Sequence, residues 1–113
     1  MKLAQKEVDD VVILELSGKI MGGPDATILN DHLHELIESD RKNVVADLSQ
    51  VSWMNSSGLG ILISALTTIR NAGGDLKLAN MTDRIKSLLV ITKLLNVFDT
   101  YDSIEEAVAS YSK

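Results

Sequence analysis

Between residues 43 and 48 the chain reads Asn-Val-Val-Ala-Asp-Leu, an apolar run that does not alternate with polar residues until Asp47. A strand that faces water on one side must alternate, so this one is expected to be covered on both faces, as the central strand of a mostly parallel sheet. Parallel neighbours need crossover connections, and the segments on either side of the run have the period of helices. Leu29, Leu33, Leu36 and Ile37 form one stripe before it, and Leu59, Leu62, Leu66 and Ile69 form another after it.

The rest of the chain fits around that strand. Val8 to Ser17 is β-branched and mostly apolar, and with Leu3 to Val8 across an Asp9-Asp10 turn it predicts an opening hairpin. Pro24 suits the first turn of the helix that follows the Gly18 to Pro24 loop, and that helix is predicted to run to about Glu38. Ser49 to Gly58 reads as a polar connection into a second helix, which Asn71-Ala72-Gly73-Gly74 stops. Leu76-Lys77-Leu78-Ala79 alternates as a strand. Thr82 or Asp83 can cap a third helix carrying Ile85, Leu88 and Leu89. Val97-Phe98 is expected to be a short edge strand, and Ser103-Ile104-Glu105-Glu106 is a capping box that opens a last helix with Ile104, Ala107 and Val108. The predicted fold is therefore α/β, order ββαβαβαβα, with about four helices, right-handed crossovers and an antiparallel hairpin at one edge. The chain has 113 residues, enough for one domain spanning 1–113 and no more.

Composition excludes several functions. There is no cysteine, so disulfides, thiolate nucleophiles and cysteine-held metals are ruled out. Sixteen acidic and eleven basic residues give a net charge of −5, the wrong sign for nucleic acid or anionic lipid. No apolar stretch approaches the ~18 residues of a membrane span and the N-terminus turns polar at once, so the expected location is cytoplasmic. His32 and His34 stand two apart on a helix, point in different directions and do not make a metal pair. Asp31, Glu35 and Glu38 are expected to form a solvated helix face, and no cofactor or metal is implied.

Ligand surfaces on such folds lie beyond the carboxyl ends of the strands, which here means the Gly18 to Pro24 and Ser49 to Gly58 loops. The second holds the one concentrated polar group of the chain, Asn55-Ser56-Ser57-Gly58. At a helix start, Asn and Ser serve as caps worth ~1 kcal/mol each. A serine hydroxyl exposed there is also a good phosphoryl acceptor, because the added charge meets the positive end of the helix dipole. Such a modification would leave the domain folded and act on whatever docks over the loop. Ser57 has no Gly-x-Ser-x-Gly context and no histidine in reach along the chain, so hydrolase chemistry is not indicated. Gly58-Leu59-Gly60 and Gly22-Gly23-Pro24 lack the lysine and spacing of a phosphate-binding loop. Trp53 is expected to be core, whereas Met21 and Met54 are expected to face a partner.

The run Asp47-Leu48-Ser49-Gln50-Val51-Ser52-Trp53-Met54-Asn55-Ser56-Ser57-Gly58-Leu59-Gly60 resembles the signature of STAS domains, most of all the stand-alone anti-sigma factor antagonists. Ser17-Gly18-Lys19-Ile20, Ala72-Gly73-Gly74-Asp75-Leu76 and Ile91-Thr92-Lys93-Leu94-Leu95 extend the resemblance over nearly the whole chain. It implies a non-catalytic protein that binds an anti-sigma factor serine kinase when Ser57 is unphosphorylated, is phosphorylated there by that kinase, and is restored by a serine phosphatase. By position the docking surface would comprise Met21, Gly22, Gly23, Met54, Asn55, Ser56, Ser57 and Gly58. Two other readings stand beside it: a constitutive STAS scaffold in which Ser57 only caps the helix, and a weak nucleotide-binding STAS domain. The chain departs from the family at Asn55, commonly aspartate, which keeps the capping geometry and removes one charge beside the serine. Gly22-Gly23 departs too, in a loop that is more often acidic and polar.

Overall fold

The computed structural model describes residues 1–112. Its elements are β1 (Lys2–Val8), β2 (Val11–Ile20), α1 (Pro24–Glu38), β3 (Asn43–Met54), α2 (Ser56–Asn71), β4 (Asp75–Ala79), α3 (Asp83–Ile91), a 3-10 turn (Leu95–Val97), β5 (Thr100–Tyr101) and α4 (Ile104–Ser110). The five strands lie in sequence order, β1 antiparallel to β2 and the other three pairings parallel. This is the predicted order ββαβαβαβα. Asp9 and Asp10, both at positive φ (51° and 66°), make the two-residue turn between Val8 and Val11. That is the primed turn whose twist matches a hairpin, and aspartate is among the few residues that tolerate it.

The central run is buried as expected: Val44 through Leu48 are all covered. The larger core lies on one face of the sheet, where Val12, Leu14, Val44, Ala46, Leu48, Leu76 and Leu78 meet Leu29, Leu33 and Leu36 of α1, the apolar stripe of α2, and Ile85 and Leu89 of α3. On the opposite face α4 covers Val11, Ile13, Val45 and Ala79 with Ala107 and Val108, and Tyr101, Ile104 and Tyr111 pack against the same cluster. Thr82 Oγ1 accepts from the Ile85 amide and Ser103 Oγ accepts from the Glu106 amide, so both predicted caps are in place.

Three expectations are corrected. The strands β2 and β3 run on to Ile20 and Met54, so the polar connection read from Ser49 onward shrinks to Asn55 alone, and the loop before α1 to Met21–Gly23. Register shifts between Glu15 and Ser17 and between Gly18 and Lys19 carry the pairing as far as Ile20 with Met54. The irregular spacing is what hid Val51 and Met54 as inward residues. Val97-Phe98 is no strand: Val97 closes the 3-10 turn, Phe98 is buried, and the edge strand is Thr100–Tyr101. Trp53 is 38% exposed rather than core, because on a strand ending with Met54 turned inward its side chain faces the other way.

Lys77, in the middle of β4, is buried too. Its ammonium donates to Ser110 Oγ at 2.6 Å and lies 4.2 Å from the ring centre of Tyr111 and 5.6 Å from that of Tyr101. The Tyr111 hydroxyl accepts from the Val44 amide (3.2 Å) and lies 2.7 Å from the Val44 carbonyl and 2.9 Å from that of Asp75. These contacts fasten the end of α4 to the central strands. Burial pushes the Tyr111 phenol well above its ordinary pKa, and the Asp75 carboxylate adds to the rise.

Candidate functional site

The two loops at the carboxyl ends of β2 and β3 come together around Ser57. Asn55 has the extended backbone of an N-cap (φ −104°, ψ −175°), and its Oδ1 accepts the Gly58 amide at 2.8 Å. Its carbonyl also accepts the Leu59 amide at 2.9 Å. The cap is therefore Asn55, and Ser56 and Ser57 are the first two residues of α2. Both serines are exposed, and the Ser57 hydroxyl makes no hydrogen bond among the described residues. The N-cap role that the scaffold reading gave to Ser57 therefore belongs to Asn55.

Two glycines bring the loops close. A Cβ on Gly58 would lie 1.9 Å from the Ile20 carbonyl oxygen, so only a bare Cα lets α2 start against the end of β2. Gly22 has φ +104°, and a Cβ there would lie 3.2 Å from Ser57 Cβ and 4.0 Å from its Oγ. The loop before α1 thus rests directly on the serine. Asp25, in the first turn of α1, holds that loop in shape by accepting the Met21 amide at 3.3 Å, while its own amide donates to the Gly22 carbonyl at 3.4 Å. Nothing in the spacing of Met21 and Asp25 announces this clamp.

Of the residues placed here from sequence, Met21, Gly23, Ser56 and Ser57 are exposed and Gly22 and Asn55 are half-buried. Met54 is corrected: it is 4% exposed and belongs to the core, so its side chain offers nothing to a partner. Gly58 is buried and contributes by letting the helix approach. Of the residues named for this surface, Met21 (47% exposed) is the one that offers a large apolar side chain. The amides at the start of α2 lack helical partners and make the local field positive, with no acidic side chain in the first turn to oppose it.

Among the described residues no group of three His, Asp or Glu side chains could hold a metal ion. Both histidines lie on α1, where His32 pairs with Gln5. No helix among the described residues is long and apolar enough to cross a membrane.

Comparison with known proteins identifies the family. The family model of the STAS domain matches residues 2–107. BtrV of Bordetella bronchiseptica, named as an anti-sigma factor antagonist, is 25% identical over 111 residues, covering 98% of this chain and 95% of that protein. A protein of Thermotoga maritima with the same designation is 30% identical over 109 residues, 91% of each chain. A crystal structure of an anti-sigma factor antagonist from that organism superposes with a TM-score of 0.87 at 26% identity, over 98% of this chain and 95% of the other. The chain belongs to the STAS domain family, among relatives named as anti-sigma factor antagonists.

Proposed function

We propose that this protein is a phosphorylation-gated antagonist: unmodified, it binds a kinase-type anti-sigma factor through the surface around Ser57, and phosphorylated it lets go. The observation that carries this reading is the state of Ser57. Its hydroxyl is exposed and unbonded at the N-terminus of α2, because Asn55 does the capping. The partner transfers the terminal phosphoryl group of ATP to Ser57 Oγ, displacing ADP and the hydroxyl proton, and a serine phosphatase hydrolyses the ester. No catalytic group of the antagonist takes part, and the switch works in the cytoplasm, where its partners act on transcription.

Phosphorylation adds a charge of about −1.5 to −2 and three strongly hydrated oxygens. At a helix N-terminus that charge is tolerated, so the domain stays folded. In a docked interface it would be a desolvated charge without a partner, a cost of about 3–5 kcal/mol, or roughly a hundredfold to several thousandfold in affinity. The small residues Gly22, Gly23, Ser56 and Ser57 leave no side chain to shield it. Docking uses Met21 and the exposed backbone of Met21–Gly23 and Asn55–Ser57.

The test is affinity capture from the native lysate with wild type, Ser57→Ala and Ser57→Asp as baits, each confirmed folded by circular dichroism. The reading expects an ATP-binding serine kinase with the first two baits and not with the third. Equal recovery with all three would make the domain a constitutive scaffold.

A further inference from the structure

Beside the Ser57 surface, the side chains of Lys19, Met21, Ser52, Trp53 and Arg84 line a shallow depression of 520 Å³. Three features set it apart. Trp53 is the only tryptophan of the chain and stands 38% exposed, with the Arg84 guanidinium 4.9 Å from its ring centre. Among the described residues neither Arg84 nor Lys19 has a carboxylate within salt-bridge distance, as Lys2, Lys86 and Lys93 also lack one, but here two such cations share one depression on a chain of net charge −5. And Arg84 occupies the first turn of α3, where the helix dipole disfavours a cation, so helix stability does not account for it.

Tryptophan and arginine are among the residue types most enriched at the energetic centres of interfaces, and a cation over an aromatic face is held there by the ring quadrupole. The depression is continuous with the Ser57 surface, since Met21 adjoins Gly22, which rests on Ser57, and Trp53 precedes the capping Asn55 by two residues along the chain. We infer that this patch is a second contact area for the same anti-sigma factor, receiving an acidic segment that carries an apolar side chain. The inference rests on the function proposed above. The acidic residues of the segment pair with Lys19 and Arg84, and its apolar side chain packs on Trp53 and Met21. Charge complementarity selects this occupant: a basic or neutral segment would leave both cations unpaired on binding. The division of labour is that Trp53 and Arg84 choose the partner, whereas Ser57 decides when it is held.

Site-specific photocrosslinking in the native cell tests this. A benzoylphenylalanine replaces Trp53 in one bait and Ser56 in another, and the crosslinked peptides are sequenced. The expected result is that both positions crosslink the same serine kinase, position 53 to a segment of net negative charge, and that Arg84→Glu lowers the yield at position 53 at least tenfold while the bait stays folded. Crosslinking of the kinase at position 56 alone, or a segment at position 53 that is neutral or basic, overturns the second contact area and leaves the proposed function standing. No kinase at either position overturns both.

Discussion

Gly58 and Gly60 stand two residues apart on α2, and replacing each by alanine should move stability in opposite directions. At Gly60 an added Cβ meets nothing within 4 Å, so Gly60→Ala gains helix propensity and loses nothing. That is worth about 0.4–1 kcal/mol. At Gly58 the same Cβ lies 1.9 Å from the Ile20 carbonyl oxygen, 2.7 Å from the Ile20 carbonyl carbon and 3.0 Å from Met54 Cγ. Two of the three obstacles are backbone, so relief requires α2 to back away from the end of β2 by about 1 Å. Forcing extra atoms into a packed interior costs about 1–3 kcal/mol, and a backbone obstacle belongs at the upper end. Offset by at most about 1 kcal/mol of helix propensity, the net loss is about 2 kcal/mol. For a domain of this size that lowers Tm by roughly 8 °C, whereas Gly60→Ala raises it by roughly 2–4 °C. Thermal melts followed by circular dichroism, with urea midpoints at unchanged slope, measure both. Gly58→Ala melting at or above wild type would refute the close approach of α2 to β2, and with it the placement of Ser57 against Gly22.

Asn55→Ala removes the acceptor for the Gly58 amide and should cost about 1 kcal/mol, whereas Asn55→Asp keeps the acceptor, adds a charge favoured at a helix N-terminus, and should be at least as stable as wild type by urea denaturation. Tyr111→Phe leaves the Val44 amide, and one of the two carbonyls beside the hydroxyl, short of a partner and should cost about 1–3 kcal/mol. Because burial raises the Tyr111 phenol above its unfolded value of about 10, its contribution to stability is complete below that pH and is lost as pH rises past it. Urea midpoints between pH 9 and 11 should therefore fall more steeply for wild type than for Tyr111→Phe; parallel curves would contradict the buried phenol.

Most of the architecture was legible because single residues decide it. Pro24 opens α1, Thr82 and Ser103 cap α3 and α4, and the unbroken run Val44-Val45-Ala46 requires a strand covered on both faces. What escaped depends on pairings that sequence distance conceals. The ends of β2 and β3 lie beyond register shifts that break the two-residue period, so Met54 read as a loop residue and Trp53 as core, the reverse of the structure. The burial of Lys77 was not legible, because the residues that enclose it, Tyr101, Ser110 and Tyr111, come from the last two elements of the chain. The serine pair of the site was visible from its motif. Which residue caps the helix was not, since Asn55, Ser56 and Ser57 are all good caps and only the chain path shows that Asn55 takes the role.

The central claim is that a phosphate on Ser57, and nowhere else, ends binding. Its most direct measurement incubates the purified protein with the captured kinase and ATP, maps the modified residue by mass spectrometry, and passes the mixture over a sizing column. The account predicts one phosphate, on Ser57, and a phosphorylated protein that elutes apart from the kinase while the unmodified protein elutes with it. Phosphate on Ser56 instead, or a Ser57-phosphorylated protein that still travels with the kinase, would contradict it.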